Sequence, residues 1–458
     1  MNHLYWKIPS SIDLESLLKK YPPKFKKQYK IDYFYHFIEL LCEMMEYNDL
    51  DGNGGYVNLN STLMQSIVHN YNEYLNYLLE HRIIRTDKKY IPGAKSMGYV
   101  LNKLHFDSEI QLIKIQSFVI KRNRAKKKRA LEQEMKVTSN KYFYLTKWFN
   151  EKLQIDAEGA MSKLEELFPK PTGAIRGVRK GKANRMTKKY SAKLAIQRLI
   201  NHDYYYSVDD KVGRFHSNLT NLKKELRHYI TYDGKTLVNV DIKNSQPLLS
   251  SILFDPSFYS TKKKGRCVNL YDFPSSFKYL VNNNLHTYTH TIIMLVKTLE
   301  SIDNKEVKYF LSMTKSGDFY QKLSKAMYPK HAFNKSKMKE LTYKVFFSSN
   351  RSIQDMNNWT KREFKMKFKG IYKMFAAIKR KNHRALSHIL QRIESEIMIQ
   401  NACKRISIEK PDLPIFSIHD SIITTDGDQG YVEKVIKEEA FKLTGLNVSL
   451  GIEILNQK

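Results

Sequence analysis

Two short apolar segments, each carrying one aspartate, restrict the fold of this chain more than any other feature. KTLVNVDI (235–242) and PIFSIHDSIITT (414–425) are rich in the β-branched residues that favour strands. They lie among long helical patterns, so the sequence from about residue 205 onward predicts an α+β domain with helices flanking a small group of strands. A carboxylate in such an apolar setting is costly to desolvate unless something offsets its charge.

The two aspartates, Asp241 and Asp420, lie far apart in the sequence. Two strands that each present one carboxylate predict a divalent-metal site built from distant segments. Mg²⁺ prefers oxygen ligands and takes only one or two protein carboxylates, which leaves positions for water and phosphate. Paired ions about 4 Å apart can activate a hydroxyl and stabilise a leaving pyrophosphate. The alternative is that both aspartates are strand-end caps or ion-pair partners of nearby lysines.

The net charge indicates the class of partner. The chain has 78 Lys and Arg residues against 46 Asp and Glu residues, a formal net charge of +32 at pH 7. Such an excess repels itself unless an anionic partner offsets it. Nucleic acid is the partner that we expect, and ribosomal, membrane-surface or other polyanion binding are the alternatives.

Two basic runs are the candidates for phosphate contact, KRNRAKKKR (121–129) and GAIRGVRKGKANRMTKK (173–189). The alternative is a solvated helix face or a flexible linker. The residues predicted to contact DNA backbone in these runs are Lys126, Lys127, Lys128, Arg129, Arg176 and Arg179.

Other features exclude several classes of protein. Cys42, Cys267 and Cys403 form no CxxC or Cys/His pattern, which argues against a disulfide framework or a structural zinc site. No apolar run approaches the roughly 20 residues of a membrane span. The first residues lack a basic-then-apolar signal. We therefore expect a cytoplasmic protein of a reducing compartment with no membrane partner, in a bacterial, phage or mobile-element context.

The first 106 residues have the element order of a winged-helix module. A helix over 32–47 precedes a short strand at 56–60, two helices over 61–68 and 72–82, and a hairpin within 83–102. Winged helices bind DNA through their second helix and wing. The alternative is a small helical domain that packs on the rest of the chain or docks another replication protein.

Two segments around the first aspartate resemble family-A DNA polymerases. GRFHSNLTNL (213–222) matches the family's G-R-x-x-S-x-x-x-N-L box position for position. RHYITYDGKTLVNVD (227–241) follows it, like the family's R…G…L-V…D strand. The resemblance implies that Asp241 is a metal-binding catalytic aspartate. It also implies that Arg214 and Asn221 lie along the DNA primer-template.

Later segments continue in the family's order. SGDFYQKLSKAMYP (316–329) is similar to the G-D-x-H helix, and KSKMKELTYKVFF (335–347) resembles the motif-B helix R-x-x-x-K-x-x-x-F-G-x-x-Y. LQRIESEIM (390–398) and SIHDSI (417–422) resemble the Q-G-x-x-A-D helix and the motif-C H-D turn. Five segments in order over about 205–458 make the resemblance specific, although each alone would be weak.

The resemblance implies a role for one face of the motif-B-like helix. Lys339 matches the lysine that contacts the incoming triphosphate and protonates pyrophosphate, and Lys335 stands where the family has arginine. Tyr343 and Phe347 match the aromatics that border the sugar and template base. These four residues recur every four positions and so share one helical face. The alternative is ordinary amphipathic packing, with both rings in the core and both lysines in water.

The resemblance also implies the catalytic metal site. Asp241 and Asp420 would hold two Mg²⁺ ions, for which Mn²⁺ is the expected substitute. Gln391 and His419 match residues near the primer end. The predicted architecture is a right-hand polymerase, with an antiparallel palm sheet, helical fingers and a reduced helical thumb.

Three departures from the family leave the sugar of the substrate open. The motif-A sequence D-Y-S-Q-I-E is here D-I-K-N-S-Q-P, which has either a two-residue insertion or Gln246 in place of the sugar-facing glutamate. The tyrosine of the family's Tyr-Gly pair is Phe347, which lacks a hydroxyl that can read a 2′-OH. The residue after Asp420 is serine, as in single-subunit phage-type RNA polymerases.

We therefore predict three regions: a winged-helix-like module over 1–106, a basic helical DNA grip over 107–204, and the palm and fingers over 205–458. The expected function is template-directed nucleotidyl transfer, in the form of a DNA-directed DNA polymerase. We identify no exonuclease motif before residue 205 and therefore expect no proofreading. The alternatives are a single-subunit RNA polymerase or primase, and a non-catalytic winged-helix DNA-binding protein with a relic palm.

Overall fold

The structure, a computed structural model, describes residues 5–47, 56–92, 95–105, 108–169, 180–260, 268–272, 285–355 and 358–456. Its strands are β1 Tyr5–Pro9, β2 Val57–Asn58, β3 Ile84–Thr86, β4 Gly98–Leu101, β5 Ile110–Lys114, β6 Leu153–Ile155, β7 Tyr206–Val208, β8 Phe215–Ser217, β9 Ile230–Tyr232, β10 Lys235–Ile242, β11 Ile415–Ile418, β12 Ser421–Thr425 and β13 Leu450–Leu455. All pairings between neighbouring strands whose register is resolved are antiparallel.

Helices account for most of the remaining chain. They are α1 Leu14–Lys20, α2 Ile31–Tyr47, α3 Ser61–Ile67, α4 Tyr71–Glu80, α5 Phe118–Lys141, α6 Phe143–Thr146, α7 Ala157–Leu167, α8 Lys180–Ile200, α9 Asn218–Asn221, α10 Ser245–Leu249, α11 Leu285–Glu300, α12 Asn304–Thr314, α13 Phe319–Met327, α14 Lys335–Phe347, α15 Trp359–Lys367, α16 Lys369–Ile378, α17 Ala385–Ser395, α18 Lys404–Glu409 and α19 Gln429–Thr444. A π-helical segment, Glu396–Cys403, joins α17 to α18. The architecture is mixed α/β with antiparallel sheets.

The chain divides into two compact units. The first comprises Met1–Lys141, Gln154–Tyr205 and Ser217–Ile230, and the second comprises Tyr142–Leu153, Tyr206–His216 and Thr231–Lys458. The three-part division that the sequence predicts stays a prediction, since the boundaries of compact units and of functional regions need not coincide.

The first unit has the element order expected for residues 1–106. Helix α2 precedes β2, helices α3 and α4 follow, and β3 and β4 close a three-stranded antiparallel sheet of order β2-β4-β3. Strand β1 pairs separately with β5. The core of this unit is aromatic and includes Trp6, Phe34, Phe37, Tyr74 and Tyr190.

A buried carboxylate organises one end of this core. Asp32 accepts a hydrogen bond of 2.7 Å from Trp6 Nε1 and further bonds from the backbone N–H groups of Gln116 and Ser117. Since those two residues immediately precede α5, the carboxylate connects β1 and α2 to the start of that helix. The Cζ atom of Arg124, in the second turn of α5, lies 4.1 Å from the centre of the Trp6 ring, and the Arg124 guanidinium pairs with Glu39.

The second unit is arranged around β10. This strand lies between β12 and β13, β11 pairs with β12, and β9 forms a hairpin with the start of β10. The face of β10 that carries Val238, Val240 and Ile242 is buried, as expected for a strand with one face in a core. Helices α12 to α17 contribute a second apolar cluster, in which Phe310, Phe346 and Phe375 contact one another through Phe375.

Candidate active site

The hairpin β11–β12 brings the two predicted metal-binding aspartates to the same end of neighbouring strands. Asp241, the penultimate residue of β10, lies opposite Ser421, the first residue of β12. The hairpin turn is His419–Asp420, and the backbone N–H of Ile242 donates to the carbonyl oxygen of Asp420 at 3.3 Å. His419 has a φ of 55° and is exposed at the tip. Both aspartates are half-buried.

The surroundings of Asp241 and Asp420 disfavour a negative charge on both carboxylates at once. Burial, together with the negative charges of Glu394 and Asp241, raises the pKa of Asp420 to about 6, and Arg214 opposes this shift. The influence of Asp241 on this pKa means that the two carboxylates lie within electrostatic reach of each other. A cation bound between them would relieve this repulsion.

Glu394 is a third carboxylate that the sequence analysis did not identify. It is almost fully buried in α17 and accepts hydrogen bonds from three side chains, Arg214 Nη2, Ser245 Oγ and Gln246 Nε2, the last at 2.7 Å. The only sequence signal was a glutamate at helical spacing from Leu390, on an otherwise apolar face. The partners of Glu394 come from segments 148 to 180 residues away, which no local pattern reveals.

This network includes two of the predicted site residues, Arg214 and Gln246. Arg214 and Gln246 were predicted to contact the primer-template and the nucleotide, and in the structure both donate to Glu394. The Oε1 atom of Gln246 is buried and has no hydrogen-bond partner among the described residues. Because Nε2 is held by a carboxylate, Oε1 is the acceptor that this side chain still offers.

Helix α14 places its four predicted residues on an accessible face. Its opposite face buries Met338, Leu341, Thr342, Val345 and Phe346. Lys335 and Lys339 are exposed, Tyr343 is 65% exposed, and Phe347 is half-buried. The rings of Tyr343 and Phe347 meet edge to face at 5.1 Å. The alternative in which both aromatics fill the core is therefore wrong for Tyr343.

Tyr320 of α13 connects this helix to the aspartates. The Nζ atom of Lys339 lies 6.0 Å from the centre of the Tyr320 ring. Burial raises the pKa of the Tyr320 phenol, and the charge of Asp420 raises it further. A cation, a phenol and a carboxylate from three elements thus lie in one neighbourhood. Tyr320 belongs to the segment SGDFYQKLSKAMYP but was not singled out from the sequence.

Two buried lysines support the C-terminal end of α14. Lys379 donates to the carbonyl oxygens of Val345 and Ser348, at 2.5 and 3.2 Å. Lys361 donates to the Ser348 and Ser352 hydroxyls and to the Ser349 carbonyl oxygen. Cations are favourable at a helix C-terminus, where the last carbonyls lack intrahelical partners. Their burial nonetheless lowers the pKa of Lys361 to about 8 and that of Lys379 to about 7.

The remaining predicted DNA contacts lie elsewhere. Gln391 is half-buried in α17 of the second unit. Asn221 is in α9 of the first unit, where its Nδ2 donates to the Tyr205 hydroxyl. Four predicted basic residues of α5, also in the first unit, are exposed: Lys126, Lys127, Lys128 and Arg129. The Nζ atom of Lys128 lies 3.6 Å from Oε1 of Glu132. Arg176 and Arg179 lie outside the described residues.

Two features are absent from the described part of the chain. No group of three or more His, Cys, Asp or Glu side chains in the ranges given above is arranged to hold a metal ion. That absence does not bear on a site with two carboxylates, which is what the sequence predicts. None of the helices in the same ranges is long and apolar enough to cross a membrane.

Comparisons with known proteins give little further information. No family model matches the sequence, and neither does any curated protein. Among solved structures, the chain is similar to the POL domain of Pol1 from M. smegmatis in complex with a DNA primer-template and a dNTP. The identity is 10%, the match covers 67% of each chain, and the TM-score is 0.37. At that score the similarity carries no argument for this chain.

The Glu394 network yields a prediction about stability. We expect Glu394→Gln to lower the free energy of unfolding by about 3 kcal/mol, because it leaves the Arg214 guanidinium without its buried counter-charge. Urea denaturation measures the effect. Glu340→Gln removes the exposed ion pair with Lys344 on α14 and is expected to cost less than about 0.5 kcal/mol. Equal losses for the two variants would contradict the network.

The buried lysines yield a prediction about pH. The folded state releases the Lys379 proton near pH 7, whereas the unfolded chain holds it to about pH 10.5. Between these values the unfolded state binds more protons, so this group makes stability rise with pH. We expect Lys379→Met to flatten that rise between pH 7 and 9.5 in denaturation series. Lys373→Met, at an exposed position of α16, the helix that ends immediately before Lys379, should leave the wild-type slope unchanged.

Proposed function

We propose that the second unit is a template-directed nucleotidyltransferase, most specifically a DNA-directed DNA polymerase of family-A type without proofreading. The observation that carries the proposal is the approach of Asp241, near the end of β10, to Asp420, in the turn before β12, with Tyr320 near Asp420 and Lys339 near Tyr320. These groups come from the segments that resemble polymerase motifs A, B and C and the G-D-x-H helix.

The donor set fits a divalent cation. Asp241 and Asp420 supply hard carboxylate oxygens, and burial, Glu394 and Asp241 together raise the pKa of Asp420. The two aspartates are therefore proposed to hold two Mg²⁺ ions, with Mn²⁺ as a substitute. When bound, such ions polarise phosphate oxygens and lower the pKa of a primer 3′-hydroxyl.

The chain's own residues are proposed to bind and orient the substrates. Lys335 and Lys339, exposed on α14, would pair with the triphosphate, and Lys339 would hold the proton that the leaving pyrophosphate takes. The accessible ring of Tyr343, with Phe347 against its edge, offers a surface on which a base pair can stack. Gln391 and His419 are proposed to lie near the primer end.

DNA binding is proposed to rest on charge. The exposed basic residues of α5, Lys126 to Arg129, present four cations in succession. Arg214 retains donors besides the one on Glu394, so a contact with the primer-template remains part of the proposal. Asn221 and the two arginines outside the described residues, Arg176 and Arg179, are proposed as further contacts.

Two parts of the proposal concern specificity and partners. Gln246 is proposed to border the sugar of the nucleotide, where its unpaired Oε1 could accept a hydrogen bond from a hydroxyl group. The amide lacks the negative charge of the glutamate that stands at this position in the family, so the choice between the DNA- and RNA-synthesising alternatives stays open. The first 106 residues are proposed to be a winged-helix module that binds DNA or another replication protein, on the strength of their sheet order β2-β4-β3.

Extension of a labelled primer on a DNA template in Mg²⁺ tests the function. We expect growth with dNTPs in the wild type and none in Asp241→Asn or Asp420→Asn, because each variant removes a proposed metal ligand. Both variants should bind primer-template normally in a gel-shift assay. Asp426→Asn, at an exposed turn after β12, is the matched control and should extend normally.

The same assay separates the alternatives. Growth with NTPs alone, or on an unprimed template, would establish an RNA polymerase or primase. DNA binding without incorporation of either substrate would favour the non-catalytic winged-helix protein. Wild-type extension by Asp420→Asn would contradict the assignment of the aspartates.

The face of α14 yields a second kinetic prediction. We expect Lys339→Ala to lower kcat by about 100-fold, the scale of a lost general acid. Lys344→Ala, on the same helix, removes a lysine that pairs with Glu340 at 2.7 Å and should leave kcat close to the wild-type value. Single-turnover incorporation with saturating nucleotide measures both. Equal kcat values would place the proton donor elsewhere.

A further inference from the structure

A row of three residues crosses the sheet at the first aspartate. Asp241 of β10 lies opposite Ser421 of β12 on one side and opposite Gly451 of β13 on the other. Residues directly opposite each other in an antiparallel pair project from the same face of the sheet. The carboxylate is thus flanked by two of the smallest side chains that a protein has.

Gly451 leaves space that the Asp241 carboxylate occupies. A Cβ atom at position 451 would lie 2.6 Å from Asp241 Oδ1, 3.3 Å from Cγ and 3.4 Å from Oδ2. The first distance is shorter than real Cβ atoms show, so an alanine would force a shift. Aspartate is short and its Cα is held in the central strand, which leaves rotation of the carboxylate or movement of β13 as the ways to relieve the clash.

The backbone does not explain this glycine. Unlike Gly213, Gly234, Gly427 and Gly445, Gly451 does not have a positive φ. Glycine inside a strand weakens the strand and often marks a close approach by another group. At Gly451 the approaching group is the carboxylate of Asp241.

We propose that Gly451 is a positioning residue that keeps the Asp241 carboxylate in its metal-binding orientation. The inference rests on the proposed function, since it assumes that Asp241 holds a divalent cation. It adds a residue from the C-terminal strand, to which the sequence analysis assigned no role. A side chain at 451 would displace the carboxylate while leaving every proposed ligand and substrate contact present.

Binding of Mn²⁺ alone to the full chain, followed by electron paramagnetic resonance, tests the inference without turnover. We expect Gly451→Ala to weaken Mn²⁺ binding by at least about 10-fold, the usual scale for a lost orienting neighbour of a metal ligand. Gly430→Ala is the matched control, because Gly430 is exposed in α19, has no positive φ, and would meet nothing within 4 Å of an added Cβ. It should bind Mn²⁺ as the wild type does.

Primer extension supplies the second readout. For Gly451→Ala we expect a lower kcat that partly recovers as the Mg²⁺ concentration is raised, and an unchanged KM for primer-template. If Gly451 were needed only for folding, Gly451→Ala would lower the thermal midpoint of unfolding, and the molecules that remain folded would respond to Mg²⁺ as the wild type does. If Gly451→Ala does not fold, Ser421→Thr adds one methyl group on the other flank, keeps the hydroxyl, and should weaken Mn²⁺ binding in the same direction.

The outcomes separate this inference from the function on which it rests. Wild-type extension together with wild-type Mn²⁺ affinity in both Gly451→Ala and Ser421→Thr would overturn the inference and leave the polymerase assignment intact. A wild type that neither extends primers nor binds Mn²⁺ would overturn both. Weaker binding in Gly451→Ala and normal binding in Gly430→Ala would support the positioning role.

Discussion

The antiparallel register of β10 between β12 and β13 is the constraint on which the candidate active site depends. The side-chain period of a strand is two residues, so a slip of one position would move Asp241 to the face that buries Val240 and Ile242. The same register sets Asp241 opposite Ser421, one residue from Asp420, and opposite Gly451. The pairing of β10 with its two neighbours therefore determines how close Asp241 lies to Asp420, and it places Gly451 where the Asp241 carboxylate needs room.

Around that ladder the second unit buries charges whose partners are mainly polar or of opposite sign. Glu394 is surrounded by a guanidinium, a hydroxyl and an amide, whereas Lys361 and Lys379 are surrounded by carbonyl and hydroxyl oxygens. Burying ions is costly unless their hydrogen-bonding capacity is satisfied. Glu394 connects α17 to the first residues of α10, and the lysines hold the end of α14. Both groups of contacts act on elements that carry proposed substrate ligands.

The first unit is stabilised mainly by the packing of apolar side chains. Its core is a cluster of aromatic rings, and its basic helix α5 is attached at the N-terminal end through Arg124, which contacts the Trp6 ring and Glu39. Beyond that residue the helix is largely exposed and strongly cationic. Such a helix gains little from burial, so its charge is free to act on an anionic partner. This arrangement is consistent with proposed DNA binding that depends on phosphate contacts rather than on base reading.

The sequence alone determined the elements that carry a local periodicity. The helix over 335–347 and the strand over 235–242 have the predicted bounds, and the pairing of two aspartates followed from two apolar strands that each present one. Side chains whose partners are distant in sequence could not be found in that way. Glu394, Tyr320, Gly451 and Lys379 owe their surroundings to segments tens to hundreds of residues away. Only the tertiary structure decided these, because packing and strand register, unlike periodicity, depend on which distant segments meet.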